Sequence, residues 1–321
     1  MLVRKIIFMT LLVEFISGTL LAVYFYFKFG PMGIYLGYWH AVSAFTNCGL
    51  DIMGANAGFA KMAADPFVST VIVVTMFLGG VGFMAADDFL RHRSWSGLSL
   101  NSKLIFLMEA ILIPLGTIIF YNLEGNNPET LGGLSTMEKW QSAVLMSVSS
   151  RLGGFAVFDI HSMLDQTVLL VMMFMFIGAA PVSTGGGIRT TTIGLLFLSL
   201  YAWIRGKKDV VIFHKHVDPD CLVKASNVFT LAVVITFITA FLVFVFEPMS
   251  FDFEDVMFEA VSAFSTVGFS MGLTGEWNTP CKIVLMIAMY IGRIGVMTLA
   301  ITFASHHSRQ LKYPKENIIV G

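Results

Sequence analysis

Three short segments of this chain end in a glycine and could bind a cation through their backbone. The stretch 41–50 aligns without a gap with the stretch 260–269, and a weaker copy occupies 146–155. Glycine reaches backbone conformations closed to other residues, and rows of backbone carbonyls can replace the hydration shell of an ion. The aligned glycines are Gly49, Gly154 and Gly268.

A lone glycine in a membrane helix more often serves close helix packing. Three glycines in register within related segments favour an ion filter instead. We therefore expect the residues that end in these glycines, called the glycine segments below, to line a filter. They are Thr46, Asn47, Cys48 and Gly49 in the first segment, Arg151, Leu152, Gly153 and Gly154 in the second, and Ser265, Thr266, Val267 and Gly268 in the third.

A Gly-rich stretch interrupts an apolar segment at 177–192. Pro181 removes a backbone donor there, and each following glycine costs a helix about 1 kcal/mol relative to alanine. Backbone freed from a helix at mid-membrane must line a cavity or be covered by protein. A phosphate cradle is the rival interpretation, but the Gly-Lys-Ser/Thr ending of a P-loop is absent from the stretch. We expect an intramembrane loop below the filter, called the Gly-rich loop, made of Ser183, Thr184, Gly185, Gly186 and Gly187.

Two arginines lie within apolar stretches, where charge is costly and usually faces the bundle interior or water. Arg189 follows the Gly-rich loop, and Arg293 lies in the last apolar stretch, beyond Gly268. A positive charge at Arg293 would repel passing cations. Glu14 and Glu109 are candidate partners for ion pairs inside the membrane. The alternative for both arginines is snorkelling toward the membrane surface.

The elements that must position these residues are membrane helices. Of the 321 residues, 56% are hydrophobic and only 13% are charged, whereas a soluble domain carries about 25% charged residues. Crossing the hydrocarbon takes about 20 apolar residues. Six stretches qualify, at roughly 5–29, 66–90, 100–121, 166–201, 225–246 and 280–304. Three shorter semi-polar stretches, at roughly 32–50, 136–155 and 251–270, are too short to cross and are expected to be re-entrant.

This pattern predicts an all-α membrane protein of three parallel helix–pore-loop–helix repeats. It has six transmembrane helices and three re-entrant pore helices, and one inner helix is broken by the Gly-rich loop. The expected repeats are 1–95, 96–215 and 216–321, the last with a cytoplasmic C-terminal tail. Lys and Arg cluster in the loops of one side, which places both termini in the cytoplasm. The first apolar helix lacks a small-residue cleavage site and is expected to be retained.

Composition and motifs also exclude several classes of function. A formal net charge of −1 argues against a nucleic-acid partner. The 3 cysteines form neither a disulfide framework nor a CxxC pair. The sequence contains no HExxH motif, and the acids within its apolar stretches stand alone. We therefore expect no enzymatic activity.

The chain resembles the Trk/Ktr/HKT potassium transporter family, and most of all the bacterial Ktr membrane subunit. Six motifs in the family's order carry the resemblance: AVSAFTNCGLDIMG, SSRLGGFAVFDI, MFIGAAPVSTGGGIRTTT, AVSAFSTVGFSMGLT, YIGRIGVMTLA and KYPKENIIVG. The resemblance implies potassium uptake across the plasma (inner) membrane, with sodium dependence common in the family. It makes the glycine segments a potassium filter, the Gly-rich loop a gate and Arg293 a pore arginine. It also implies a homodimer in the lipid bilayer, seated on a cytosolic ring of nucleotide-binding regulatory subunits.

The family builds its pore from four repeats, and the first repeat has no counterpart in this sequence. The chain opens at what resembles the second repeat. Three quarters of a ring would leave filter carbonyls beside lipid, where each unpaired group costs several kcal/mol. Two expectations therefore stay open. Another chain supplies the missing repeat, or the chain is a truncated, non-conducting fragment of such a transporter.

Overall fold

The computed structural model describes residues 2–53, 59–207, 209–247 and 251–298. Within these ranges the protein is mostly helical, as expected of an all-α membrane protein; a short hairpin of β1 (Val211–Ile212) and β2 (Lys215–His216) is also present. The helices are α1 (Leu2–Phe29), α2 (Met32–Phe45), α3 (Ala60–Ala63), α4 (Pro66–Gly80), α5 (Phe83–His92), α6 (Leu100–Glu124), α7 (Thr136–Ser149), α8 (Asp165–Phe176), α9 (Thr190–Ile204), α10 (Pro219–Phe246), α11 (Phe253–Ser265) and α12 (Thr279–Ile294). The expected C-terminal tail and the end of the predicted span 280–304 lie outside the described residues.

The short helices α2, α7 and α11 each lead directly into a glycine segment. Two of them begin with a capping box, in which each of two side chains accepts a hydrogen bond from the backbone N–H of the other residue. Ser135 and Glu138 form the box of α7, and Asp252 and Asp255 form that of α11. The opposite, C-terminal ends carry the partial negative charge of the helix dipole. All three helices thus present this negative end to a glycine segment.

The chain is interrupted within three predicted spans: the break at the Gly-rich loop was expected, and those at Gly82 and Gly295 were not. In the stretch 66–90, α4 and α5 meet at 96°, where Gly82 has a φ of +88°. In 166–201, the chain between α8 and α9 is not helical and contains the Gly-rich loop. In 280–304, α12 ends before Gly295, whose φ is +91°. A positive φ cannot continue a right-handed helix, so Gly82 and Gly295 each suffice to end one.

These breaks also reduce the number of helices that could span a membrane alone. In the described part of the chain, three helices are long and apolar enough to do so, namely α1, α6 and α10. The bent pair of α4 and α5 makes a fourth if it is counted as one span. The number of six transmembrane helices stays a prediction, since hydropathy alone does not register a sharp bend.

The helices pack so that the glycine segments lie in the centre. α2 packs against α1 and α4, α7 against α6 and α4, and α11 against α8, α10 and α12. The main hydrophobic core surrounds the glycine segments and includes Met76, Leu152, Met175 and Val267. α4 contacts α7, and α8 contacts α11. These contacts bring the glycine segments together.

Candidate functional site

The three glycine segments meet in the middle of the bundle. A Cβ atom on Gly49 would overlap the carbonyl oxygen of Gly153, and one on Gly154 would overlap that of Val267. Gly49, Gly154 and Gly268 have φ values of +69°, +62° and +92°. Glycine alone accepts this conformation and this close approach without strain. The structure thus brings together segments that are far apart in the sequence and that we expected to be neighbours.

Each glycine segment turns backbone N–H groups toward the helix before it. The hydrogen bonds run from Cys48 N to Ser43 O at 2.9 Å, from Gly154 N to Ser149 O at 3.0 Å, and from Val267 N to Ser262 O at 3.3 Å. Within the described residues, the carbonyl oxygens of the glycine segments accept no hydrogen bond. The segments therefore have a bonded N–H side and carbonyls that remain free to bind a cation.

A serine hydroxyl of the preceding helix holds the carbonyl that follows each glycine. These bonds are Ser43 Oγ to Leu50 O at 3.0 Å, Ser149 Oγ to Phe155 O at 2.8 Å, and Ser262 Oγ to Phe269 O at 2.6 Å. Ser43 and Ser262 occupy aligned positions, and Ser149 lies one position later in its copy. The three segments are thus held at their ends in the same way. The sequence analysis missed these serines, although two of them belong to the repeated motif AVSAF.

A second contact ties the first and third segments to their helices just beyond the glycine. His40 Nε2 lies 2.9 Å from Asp51 Oδ1, and the Ser270 hydroxyl donates to Glu259 Oε1 at 2.5 Å. His40 aligns with Glu259, and Asp51 aligns with Ser270, so the same tie is built from different side chains. Burial raises the pKa of Asp51, but hydrogen bonds from His40 and from two backbone N–H groups outweigh burial and leave that pKa below its usual value. The sequence gives no sign of these two contacts, because the paired residue types differ between the segments.

Some side chains of the glycine segments make contacts away from the free carbonyls. Arg151 forms an ion pair with Glu109 of α6, with both side chains buried. Thr46 donates to the carbonyl of Val42 in its own helix at 2.7 Å. Leu152 packs in the hydrophobic core. The contribution expected from Arg151 and Thr46 to a filter is therefore that of their backbones.

The Gly-rich loop lies directly against two of the glycine segments. The hydroxyl of Thr184 lies 2.8 Å from the side-chain amide of Asn47 and 2.9 Å from the carbonyl oxygen of Phe45. A Cβ atom on Gly186 would overlap the hydroxyl of Thr266. The loop is thus in contact with the first and the third segments at once.

Three hydroxyls of the loop and the third glycine segment are buried without a hydrogen-bond partner among the described residues. They belong to Ser183, Ser265 and Thr266. Buried polar groups are costly when they are unpaired. These three hydroxyls thus add no hydrogen bond to the packing of the loop, whereas the Thr184 hydroxyl bonds to the first segment.

Two arginines donate hydrogen bonds to the backbone carbonyls of adjacent residues in the Gly-rich loop. Nη1 of Arg293 donates to the carbonyl oxygen of Thr184. Nη1 of Arg189 donates to the carbonyl oxygen of Gly185 at 2.6 Å. Arg293 is exposed, while Arg189 is partly buried. The sequence analysis expected both to be intramembrane cations, and the structure brings both to the same loop.

The junction between the third and the first glycine segments is looser than the other two. A Cβ atom on Gly268 would stand 3.6 Å from the carbonyl oxygen of Cys48, with no overlap. The aligned methionines Met76 and Met175 are 0% exposed, whereas Met289 is 43% exposed. The face of α12 that corresponds to the packed faces of α4 and α8 is therefore uncovered.

Known proteins match this chain over nearly all of its length. The TrkH family, described as a cation transport protein, matches residues 1–312. The Ktr system potassium uptake protein B of Vibrio alginolyticus is 33% identical over 323 residues, which cover 100% of this chain and 70% of the relative. The protein of the same name from Bacillus subtilis is 32% identical, over 100% of this chain and 71% of the relative. The potassium/sodium uptake protein NtpJ of Enterococcus hirae is 32% identical, over 96% of this chain and 69% of the relative.

A solved structure has the same fold. The crystal structure of the potassium transporter TrkH from Vibrio parahaemolyticus superposes with a TM-score of 0.71 at 15% sequence identity. The match covers 95% of this chain and 64% of that chain, so this chain spans less than two thirds of the solved protein. The chain belongs to the TrkH family of cation transport proteins, which are transporters and not enzymes.

Proposed function

We propose that the chain carries potassium ions across the plasma membrane along the carbonyls of its three glycine segments. One observation carries this proposal: within the described residues these carbonyls accept no hydrogen bond, while N–H groups of the same segments are bonded to the preceding helices. Carbonyls arranged in this way can replace the water around a cation. The C-terminal ends of α2, α7 and α11 add a favourable field for a positive charge.

Potassium is the ion that the relatives support best. Two of them are named potassium uptake proteins, and a third is named a potassium/sodium uptake protein. Potassium also gives up its hydration shell to a ring of carbonyls in the filters of channels. Sodium is the second candidate ion, either as a co-transported ion or as a competitor at the same carbonyls.

We also propose that a fourth glycine segment completes the filter between Gly268 and Cys48. A groove of about 780 Å³ opens beside Gly268 and is lined by Thr266, Met289 and Tyr290. The corresponding faces of α4 and α8 are covered by α7 and α11. A further short helix on α12 would repeat that packing and cover Met289. The alternative is that the chain does not conduct until such a segment is supplied.

The Gly-rich loop is proposed to be the gate of this path. Contacts from Thr184 and from the two arginines support this role, because they hold the loop against the glycine segments. Arg293 would add an electrostatic barrier, since its charge repels a cation nearby. Release of the loop from these contacts would open the path.

The remaining proposals concern the orientation of the chain in the membrane, its repeats and its partner subunits. An excess of Lys and Arg in the loops of one side supports cytoplasmic termini in a multi-pass protein of the bilayer. The repeat boundaries 1–95, 96–215 and 216–321 are proposed as three pore-loop units. The likeness to Ktr proteins supports a homodimer on a cytosolic ring of nucleotide-binding regulatory subunits.

Potassium uptake by bacteria that lack their own potassium transporters tests this function. The chain is expressed alone, and also together with the part of the Vibrio alginolyticus relative that it does not match. We expect uptake with both polypeptides and little uptake with either one alone. If both polypeptides are present in the membrane and no potassium enters, the proposed function is wrong.

A further inference from the structure

Arg151 and Glu109 form an ion pair that is closed off inside the bundle. Nη1 and Nη2 of Arg151 each donate to one carboxylate oxygen of Glu109, both at 2.9 Å. The side chains are 0% and 3% exposed. Two parallel charge-assisted bonds fix the relative orientation of the two groups. The pair therefore has one defined arrangement.

This pair anchors the second glycine segment from outside its own helix. Leu152 and Gly153 follow Arg151 directly, and their N–H groups bond to α7 at 3.0 and 3.1 Å. Glu109 belongs to α6, on the far side of the pair. The backbone that carries the free carbonyls is consequently held by α7 through its N–H groups and by α6 through the Arg151 side chain.

Arg151 also reaches the beginning of the broken helix. Its Nε donates to the carbonyl oxygen of Ile177, at 3.4 Å. Ile177 is the residue after α8 and pairs with Ile188 beyond the Gly-rich loop. One side chain thus connects the second glycine segment, α6 and the base of the loop.

The other glycine segments are built without such a pair. Thr46 and Ser265 occupy the positions aligned with Arg151. Thr46 bonds only to its own helix, and the Ser265 hydroxyl has no partner among the described residues. Burying an ion pair costs desolvation free energy, and well-packed apolar residues in its place often stabilise a protein as well or better. The fold of a glycine segment therefore does not require a charged pair at this position.

We propose that Arg151 is a positioning residue that, through Glu109, fixes the carbonyls of Leu152 and Gly153 at the spacing that prefers potassium over sodium. This inference rests on the proposed function. A filter that discriminates between two ions by carbonyl spacing or field needs its backbone held against relaxation around the smaller ion. The second segment, with neighbours on both sides, is the one whose spacing influences both junctions.

The test compares potassium and sodium uptake at matched abundance in the membrane, with the part of the Vibrio alginolyticus relative that this chain does not match expressed alongside. The main variant is the double substitution Glu109→Leu and Arg151→Met, which removes both charges and leaves no unpaired one. Arg151→Lys is the second variant, since it keeps the charge but loses the bidentate geometry. The matched control is Glu124→Gln, because Glu124 lies on the same helix, is 0% exposed and accepts bonds from Asn127 and Thr130, away from the glycine segments.

We expect the potassium-to-sodium uptake ratio to fall about tenfold in the double variant and by a smaller factor in Arg151→Lys. Glu124→Gln should keep the wild-type ratio. If the double variant fails to reach the membrane, Arg151→Lys decides the question. A wild-type ratio in a variant that reaches the membrane without the bidentate pair overturns the inference and leaves the proposed function standing. Absence of any potassium preference in the wild-type protein overturns the proposed function and the inference with it.

Discussion

The side-chain amide of Asn47 lies 2.8 Å from the hydroxyl of Thr184, and this contact joins the first glycine segment to the Gly-rich loop. The same hydroxyl lies 2.9 Å from the carbonyl oxygen of Phe45 and 3.0 Å from that of Gly79. One loop side chain thus contacts a glycine segment, the end of α2 and the end of α4. Movement of the loop out of the proposed path must break these contacts.

Thr184→Val should therefore increase the maximal potassium flux. The substitution keeps the shape of the side chain and removes its hydroxyl, and a net hydrogen bond is worth about 1 kcal/mol. We expect a several-fold higher flux at matched abundance, with the potassium-to-sodium ratio unchanged. Thr70→Val is the control, because the Thr70 hydroxyl bonds only within α4. Flux that falls in proportion to the amount of folded protein would show that Thr184 serves folding and not gating.

Arg293→Ala should also raise the flux, for two reasons. It removes the donor that holds the Thr184 carbonyl, and it removes a positive charge beside the path. Two like charges a few ångströms apart repel by about 4 kcal/mol at an effective dielectric of 20, before screening by water. Arg293→Lys should change the flux less, since the charge stays.

Uptake measurements on membranes with equal amounts of protein check this prediction. Lys282→Ala is the matched control, because Lys282 is a cation on the same helix that bonds to Gly275, away from the loop. Wild-type flux in both Arg293 variants would mean that this side chain neither faces the ions nor restrains the loop.

The sequence predicts the main parts of the site because they are local. The repeated motif contains Gly49 and Gly268. Pro181 and the glycines that follow it predict the break in the helix at the Gly-rich loop. The bend at Gly82 was missed because one glycine in an apolar stretch gives no sign of its φ. The partner of Arg151 could not be chosen from sequence, since an ion pair between distant elements depends on how α6 packs against α7.

Met289→Trp tests whether a further segment packs on α12. Met289 is 43% exposed and the aligned Met175 is 0% exposed. A tryptophan at position 289 should leave the amount of folded chain unchanged but abolish potassium uptake, because it blocks the face that a fourth segment needs. Met175→Trp is the comparison, and overpacking there should reduce the folded protein itself. Wild-type uptake by Met289→Trp would argue against any partner on this face.

Gly268→Ser measures the central claim most directly, which is that the backbone of the glycine segments selects potassium. At Gly49 and Gly154 a Cβ would overlap a neighbouring carbonyl, whereas at Gly268 the nearest one is 3.6 Å away, so this variant has room to fold. Its φ of +92° still penalises a side chain by about 1–3 kcal/mol and so displaces the carbonyl. The measurement is the potassium-to-sodium uptake ratio at matched abundance, with Gly133→Ser, which has open space around it, as the control. We predict that the ratio falls about tenfold in Gly268→Ser and is unchanged in the control; a wild-type ratio in Gly268→Ser would contradict the claim.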